Sequence, residues 1–538
     1  MRPAIAVSIA GSLLLIFGIA FALRLGWLDL IQFNFDEARH LERSLAVLTE
    51  GRPALIGSPS SVGPAKPPLM VYLLIPPLLI SRDPVVATGF IALLNVGAVI
   101  GCFWLAREYF GLVAGLVSGL LFAASPWAVI FSRKIFTADL VPPFVVLFFW
   151  SLSRALVKQE QRHLVLACIW LACLLQITFS TLPLALVMAL ILVVYRSRIQ
   201  LRSLAGGAVA GGLLFVPYLY YDLTHGLANL RGLLKASAGA SRFDFLAVRY
   251  ALSLIAGDNL HALAGQSAEA FINQRPAFTW LDQVEIWLFL GALAYLVLVV
   301  VRNTPLLSRA NGGSRQDVAL HVLLLAWILI PVAFNLRHSV DLYPHYFTLL
   351  YPAPYIVAGI FVARVVQLAP GILSAVAVLL ITAIVVWQIY SVVFLYNFVQ
   401  AHDTTGGYGV PLRFWQEAVN LVSQEADARG LSQVQIVTEG NEPAFDPMPA
   451  VLKYLLPSGL EPRFLGPQAV LLPRSADLLY LTTVEDVWLT RYLDGLGRRL
   501  QSLELPGEGR RAQVYLLTRR SWQDLQALAQ HRRQAAYQ

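Results

Sequence analysis

The sequence predicts a polytopic α-helical membrane protein that carries a C-terminal extracytoplasmic α/β domain. Three observations predict it. Of 538 residues, 57% are hydrophobic and 13% are charged, with a mean hydropathy of +0.64; soluble domains average about 45–50% apolar with roughly 25% charge. Apolar runs of bilayer-crossing length, about 20 residues for some 30 Å of hydrocarbon, recur through residues 1–396. From 397 onward charge rises, and short apolar runs alternate with amphipathic stretches.

The first run, Ala4 to Leu23, follows Arg2. It exceeds the roughly 7–15 residues of a signal-peptide core. Arg24-Leu25-Gly26-Trp27 is no small-residue cleavage site, so the run reads as an uncleaved membrane helix. Further runs at 84–106, 112–131, 139–157, 163–180, 182–195, 204–221, 284–301, 318–336, 346–366 and 371–396 bring the expected total to about eleven transmembrane helices.

With the N-terminus inside, the short inner loops carry Arg107; Arg154, Lys158 and Arg162; Arg196, Arg198 and Arg202; Arg302, Arg309 and Arg315; and Arg364. That is the positive-inside bias. It accounts for the net charge of +8 without a nucleic-acid partner. A long first loop (25–83), a second large loop (222–283) and everything after about 397 then face out. Residues 1–396 form the transmembrane domain and 397–538 the outer α/β domain. Cys102, Cys168 and Cys173 lie in apolar runs and read as small buried hydrophobes, not a disulfide or zinc framework.

In the outer domain, "VQIVT" (434–438), "LLYLT" (478–482) and "VYLLT" (514–518) read as strands. "LRFWQEAVNLVSQEADARG" (412–430) reads as a helix stopped by Gly430. No G-x-G-x-x-G turn follows a strand, so a nucleotide-binding unit is not supported.

The first outer loop concentrates the chemistry. Asn34 or Asp36 can cap a helix that runs to about Glu50 and is stopped by Gly51 and Pro53. Phe35, Ala38, Leu41, Leu45 and Leu48 share one face; Asp36, Arg39, His40 and Arg43 share the other. Such a helix lies along the membrane surface with its polar face toward the protein or the headgroups. Further on, Lys66 precedes two prolines that stiffen the turn. Transfer to a hydroxyl needs a base near the acceptor proton and cations where charge develops on a leaving phosphate. Asp36, Arg39 and Lys66 supply both, and burial of Asp36 beside cations would keep it ionised.

"FDEARHLERSLAVLTEGRP" (35–53) followed by "KPPLMVYLL" (66–74) resembles the first outer loop of GT-C membrane glycosyltransferases. The branch it resembles holds the protein O-mannosyltransferases and the aminoarabinose transferase of lipid A. The likeness continues in "REYFG" (107–111), "SPWAVIFSRKIFTADLVPPF" (125–144) and "RHSVDLYPHYFTLLYPAPYIVAGI" (337–360). The resemblance implies a GT-C fold and an inverting hexosyl- or pentosyltransferase of the plasma (inner) membrane. Its donor would be a sugar on a polyprenyl phosphate, and its acceptor an outer lipid, glycan or protein hydroxyl. It implies that Asp36 is the catalytic carboxylate and that Lys66 and Arg39 contact the donor phosphate. The family's residue before Lys-Pro-Pro is often acidic or histidine; here it is Ala65.

Further candidates are Glu37, His40, Asp139, Arg337, His338, Asp341, His345 and Tyr346, with Tyr343 in the same loop cluster. Each has a plainer reading. Asp36 could be only a helix cap, Glu37 structural, and Arg39, Arg43 and Lys66 interfacial anchors. Asp139 could pair with Arg133 or Lys134, and the aromatic loop could be an ordinary interfacial belt. His225, Asp244, Asp258 and His261 read as loop residues. A divalent metal on Asp36, Glu37 and Asp139 is conceivable, but no dense acidic cluster assigns one. The rival class is a transporter or flippase of lipid-linked sugars, which would want mid-membrane charges and internal repeats. An inactive GT-C-like scaffold is the third reading, suggested by Ala65.

Overall fold

The computed structural model describes residues 3–518 and 523, apart from 61–62, 238, 304–311, 370, 468, 474–475 and 485. Arg309, expected on an inner loop, lies outside the described residues. The chain forms two compact units. One takes Met1–Leu28, Arg43–Leu260 and Gln274–Leu395; the other takes Asp29–Glu42, His261–Asn273 and Tyr396–Gln538.

The first unit is helical, and every run expected to span is helix. Among the described residues, five helices are long and apolar enough to cross a membrane singly, such as Pro84–Phe110 and Ile372–Ala401, or up to seven if each bent pair is one span. The bent pairs are Leu201–Leu213 with Val216–Thr224, at 56°, and Pro344–Leu350 with Ala353–Leu368, at 49°. Prolines 217 and 352 sit at these breaks, where a missing N–H interrupts the ladder. Leu112–Ala124, Arg162–Ile177, Phe179–Val194 and Val318–Phe334 are shorter apolar helices among the described residues, so the expected count of eleven is not established. The first outer loop is more helical than the sequence suggested, folding Leu69–Leu73 and Ile75–Ile80.

The helix ends sort as the loop charges predict. Glu108 pairs with both Arg154 and Lys158, and Gln161 donates to the Arg198 carbonyl at 2.9 Å. The cation-bearing short loops therefore gather at one end. At the other end Ala65 N–H donates to Asn229 Oδ1 at 2.9 Å, and Ser339 Oγ donates to the Ala236 carbonyl at 2.9 Å.

Buried charges between these ends are engaged. Arg24, 0% exposed, donates to the Phe122 and Ala123 carbonyls. Those carbonyls lie at a helix C-terminus and lack intrahelical partners. Asp282 accepts from Arg275, Trp387 and the Gly257 N–H. Both Asp282 and Glu285 sit in the first two turns of Trp280–Asn303.

The second unit holds a five-stranded sheet: β1 (Gln433–Val437), β2 (Glu461–Leu465), β3 (Leu478–Thr482), β4 (Arg498–Glu504) and β5 (Arg511–Leu517), in spatial order β2-β1-β3-β5-β4. β1 runs parallel to β2 and β3, while β5 is antiparallel to β3 and β4. Val437, Tyr480, Tyr515 and Leu517 form its core with Leu489 and Leu493 of the Val487–Leu496 helix. The helix Leu412–Arg429 ends on Gly430 at φ 64°, the left-handed cap that glycine adopts at least cost.

Two segments from elsewhere in the chain complete this unit. The Tyr408 hydroxyl donates to the Leu30 carbonyl at 2.6 Å, Leu412 N–H donates to the Ile31 carbonyl at 3.0 Å, and the Phe33 ring lies 5.7 Å from Tyr454. Gln266 N–H donates to Thr405 O at 3.0 Å and Tyr408 N–H to Leu263 O at 2.7 Å.

Candidate functional site

In the helical unit, a hairpin-like loop presents Lys66. Lys66 N–H donates to Ser58 O at 2.9 Å, and Gly57 N–H donates to Lys66 O at 2.7 Å. Gly57 is required there, because a Cβ would lie 2.7 Å from the Pro67 carbonyl oxygen. Arg43 Nη1 donates to the Gly57 carbonyl at 2.9 Å, which makes it a brace for this loop. From the far side, Asn229 binds the Ala65 N–H and Tyr218 donates to the Ala65 carbonyl at 3.0 Å. Asp222, itself buried, accepts the N–H groups of Asn229 and Leu230. Position 65 is therefore held by its backbone, and its methyl group supplies no ligand.

The lysine so held donates to the Thr137 hydroxyl at 3.1 Å. Its ammonium lies 5.6 Å from the Phe136 ring centroid, and the Lys134 ammonium lies 5.3 Å from the same centroid. Both are within the roughly 6 Å at which a ring face attracts a cation. His345 meets Phe136 edge-on at 5.1 Å, and Tyr343 and Tyr346 pack on His345 at 5.6 and 4.6 Å. Two ammonium groups and an imidazole thus surround one aromatic ring at the mouth of the Val141–Val157 helix. Such a cradle suits a phosphate: compact cations bind it as point charges.

Asp139 belongs to the frame of this cradle. It is 0% exposed, accepts the Lys134 N–H at 2.9 Å, and its carbonyl accepts from Asn95 at 2.8 Å. Arg133 donates to the Leu23 carbonyl at 2.8 Å, a buried tie between two helix ends.

The late outer loop divides. His345 and Tyr346 join the cradle. Arg337, His338 and Asp341 instead join two loops: Arg337–His338 pairs antiparallel with Arg242–Phe243. Asp341 pairs with Arg242 at 2.9 Å, and His338 Nε2 lies 3.2 Å from Asp244 Oδ2. The Leu246 N–H first, then His338 and Arg242, hold the Asp244 carboxyl below its ordinary value.

Asp36, Glu37, Arg39 and His40 occupy the first turns of Phe35–Glu50 in the second unit. The helix starts one residue before Asp36, so Asp36 is not its cap. Instead Glu37 Oε2 accepts the Asn34 N–H at 2.9 Å, the reciprocal half of a capping box. Glu37, His40, Leu41 and Ser44 are buried, so the deepest stripe of this helix is largely polar. The expected apolar face is only partly buried, with Phe35, Leu45 and Leu48 half-exposed. Asp36 is exposed, contrary to the expected burial, and its side chain makes no hydrogen bond or ion pair among the described residues. Arg39 is held by Glu42 at 3.0 Å, and Glu42 also takes Lys453 at 3.1 Å.

The cradle residues that sequence reasoning passed over are Lys134, Phe136 and Thr137. The signal was present in "RKIFTADL" (133–140), two cations inside an otherwise apolar stretch. Among the described residues no group of three or more His, Cys, Asp or Glu is placed to hold a metal ion.

Residues 65–221 match the family model described as dolichyl-phosphate-mannose-protein mannosyltransferase, and this stretch contains Lys66, Lys134, Phe136, Thr137 and Asp139. The structure is similar to ArnT from Cupriavidus metallidurans, solved bound to undecaprenyl phosphate, with a TM-score of 0.54 at 14% identity, covering 95% of this chain and 97% of that one. A weaker likeness, with a TM-score of 0.44 at 12% identity over 84% of this chain and 62% of that one, is to the Archaeoglobus fulgidus oligosaccharyltransferase in complex with Zn and sulfate. It carries no weight here. No curated protein matches. The overall fold is therefore similar to that of ArnT, and residues 65–221 carry the family match.

Proposed function

We propose that this protein is an inverting glycosyltransferase that moves a sugar from a polyprenyl-phosphate donor to a hydroxyl outside the cytoplasm. The observation that carries this reading is the convergence of Lys66 and Lys134 on Phe136, at 5.6 and 5.3 Å, inside the stretch that matches the mannosyltransferase family model. The fold supports it through its likeness to a protein solved with undecaprenyl phosphate.

In this mechanism the two ammonium groups hold the donor phosphate. As the bond between the anomeric carbon and the phosphate oxygen breaks, charge grows on the leaving polyprenyl phosphate, and fixed cations stabilise it most at that point. The acceptor oxygen attacks from the opposite face and its proton passes to a carboxylate base, the role for which Asp36 is the candidate. One displacement inverts the anomeric centre, so no second carboxylate is needed. Arg39, engaged by Glu42, is a weaker candidate for the phosphate than Lys134. The cation-bearing loops would face the cytoplasm, which puts the cradle on the outer side of the plasma membrane.

The test is incubation of purified protein with a polyprenyl-phosphate sugar and a hydroxyl acceptor. Release of polyprenyl phosphate with formation of the opposite anomer supports the reading. Movement of the intact lipid-linked sugar across a vesicle bilayer, without cleavage, would establish the flippase instead.

A further inference from the structure

The opposite end of the helical unit holds a second cation-bearing cavity, of about 400 Å³. It opens where Pro84–Phe110, Trp280–Asn303 and Ala353–Leu368 end and near the start of Gly312–Phe334. Among the described residues its polar lining is Tyr109, Tyr295, Asn303, His321, Arg364 and Gln367, and no carboxylate is among them. Arg364 is exposed and forms no ion pair or hydrogen bond among the described residues. That contrasts with its neighbours: Arg154 and Lys158 are already committed to Glu108, and Arg107 lies over the Trp104 ring at 4.8 Å. The Tyr109 hydroxyl is shut off from solvent and has no partner among the described residues. His321 stands edge-on to Phe110 at 5.6 Å.

The same cavity is lined by the apolar side chains of Phe110, Val299, Val318, Ile360 and Ala363. Donor groups thus stand beside hydrocarbon-like walls. An exposed guanidinium with amide donors is a phosphate-binding set. Basic pockets between membrane helices take anionic headgroups.

We propose that this cavity binds the phosphate headgroup of an anionic membrane lipid, with Arg364 as its principal ligand. The site is separate from the cradle and does not depend on the transfer reaction.

The experiment is native mass spectrometry of the full-length protein released from detergent and titrated with dioleoylphosphatidylglycerol or dioleoylphosphatidylcholine. The wild type should retain the anionic lipid at least about tenfold more tightly, the scale of one charge-assisted contact. Arg364→Gln should abolish that preference. Arg107→Gln, a cation on the same side but outside the cavity, should leave it intact. Inorganic phosphate at the same concentration should not displace the lipid. Equal retention of the two lipids, an unchanged preference in Arg364→Gln, or full displacement by inorganic phosphate would each overturn the proposal.

Discussion

The Lys66 ammonium donates to the Thr137 hydroxyl at 3.1 Å, joining an outer loop to a helix start 71 residues further along the chain. A free lysine surrenders about 1.5–2 kcal/mol of rotamer freedom when it is ordered. Here much of that is lost during folding, before any ligand arrives. Lys66→Ala should therefore weaken use of a polyprenyl-phosphate sugar by about 10- to 150-fold, equivalent to roughly 1.5–3 kcal/mol for a charge-assisted contact. Thr137→Val should cost less, about 0.5–1.5 kcal/mol, because the ammonium remains. Steady-state transfer by both variants, at matched melting temperature, checks this; wild-type kinetics in Lys66→Ala would remove the lysine from the site.

Lys134 shares the Phe136 ring with Lys66. If both hold one phosphate, their losses should not add. A double-mutant cycle on Lys66→Ala and Lys134→Ala should give an interaction energy above about 0.5 kcal/mol, the range for residues on a shared partner. Strict additivity would mean that the two act separately. Phe136→Leu should produce a smaller defect in donor use, because it keeps both charges and loses only the ring face.

What could be read from the sequence follows physical lines. The apolar helices were legible because hydrocarbon demands long apolar runs. The helix Leu412–Arg429 and strands β1, β3 and β5 showed because helix and strand each imprint their own apolar pattern. β2 and β4 did not show. Both are sheet edges, where one side is unpaired and polar residues or proline are tolerated. "EPRFL" and "RRLQSLE" carry that signature, so neither alternates as a central strand does. Within the site, Lys66 was legible through its prolines. Phe136 and Thr137 were not, because an aromatic and a hydroxyl in an apolar stretch read as core. The polar burial of Glu37 and His40 was missed because helical periodicity locates faces without saying which one is covered.

Asp244 offers a test by pH. Its carboxyl is held below its ordinary value of 3.8, first by the Leu246 N–H and then by His338. A lowered folded-state value stabilises above the unfolded value and is lost as pH falls through the folded one. The melting temperature of wild type should exceed that of Asp244→Asn at about pH 5, and the gap should close as pH falls below about 4. A gap that widened as pH fell from about 5 to below about 4 would contradict the assigned partners.

Gly265 anchors the 261–273 segment within the second unit. It has φ +53°, and a Cβ would strike the Thr405 carbonyl oxygen and lie 2.8 Å from the Gly407 nitrogen. Gly265→Ala should destabilise this unit by about 1–3 kcal/mol, the range for a residue forced into such backbone. Limited proteolysis should then cut the variant near 400–410 at conditions where wild type resists; equal resistance would show that the segment is not held there.

Asp36 is the proposed base. It is exposed, stands in the first turn of Phe35–Glu50, and leaves the capping bond to Glu37. Asp36→Asn should therefore cost only the favourable interaction of an acid with a helix N-terminus, about 0.3–1 kcal/mol. The decisive measurement is the turnover of purified Asp36→Asn with polyprenyl-phosphate sugar and acceptor, alongside its donor binding. Turnover should fall by at least about 10²-fold, the usual effect of a positioned general base, while donor binding stays near wild type. Turnover close to wild type would contradict Asp36 as the base and, with it, the proposed mechanism.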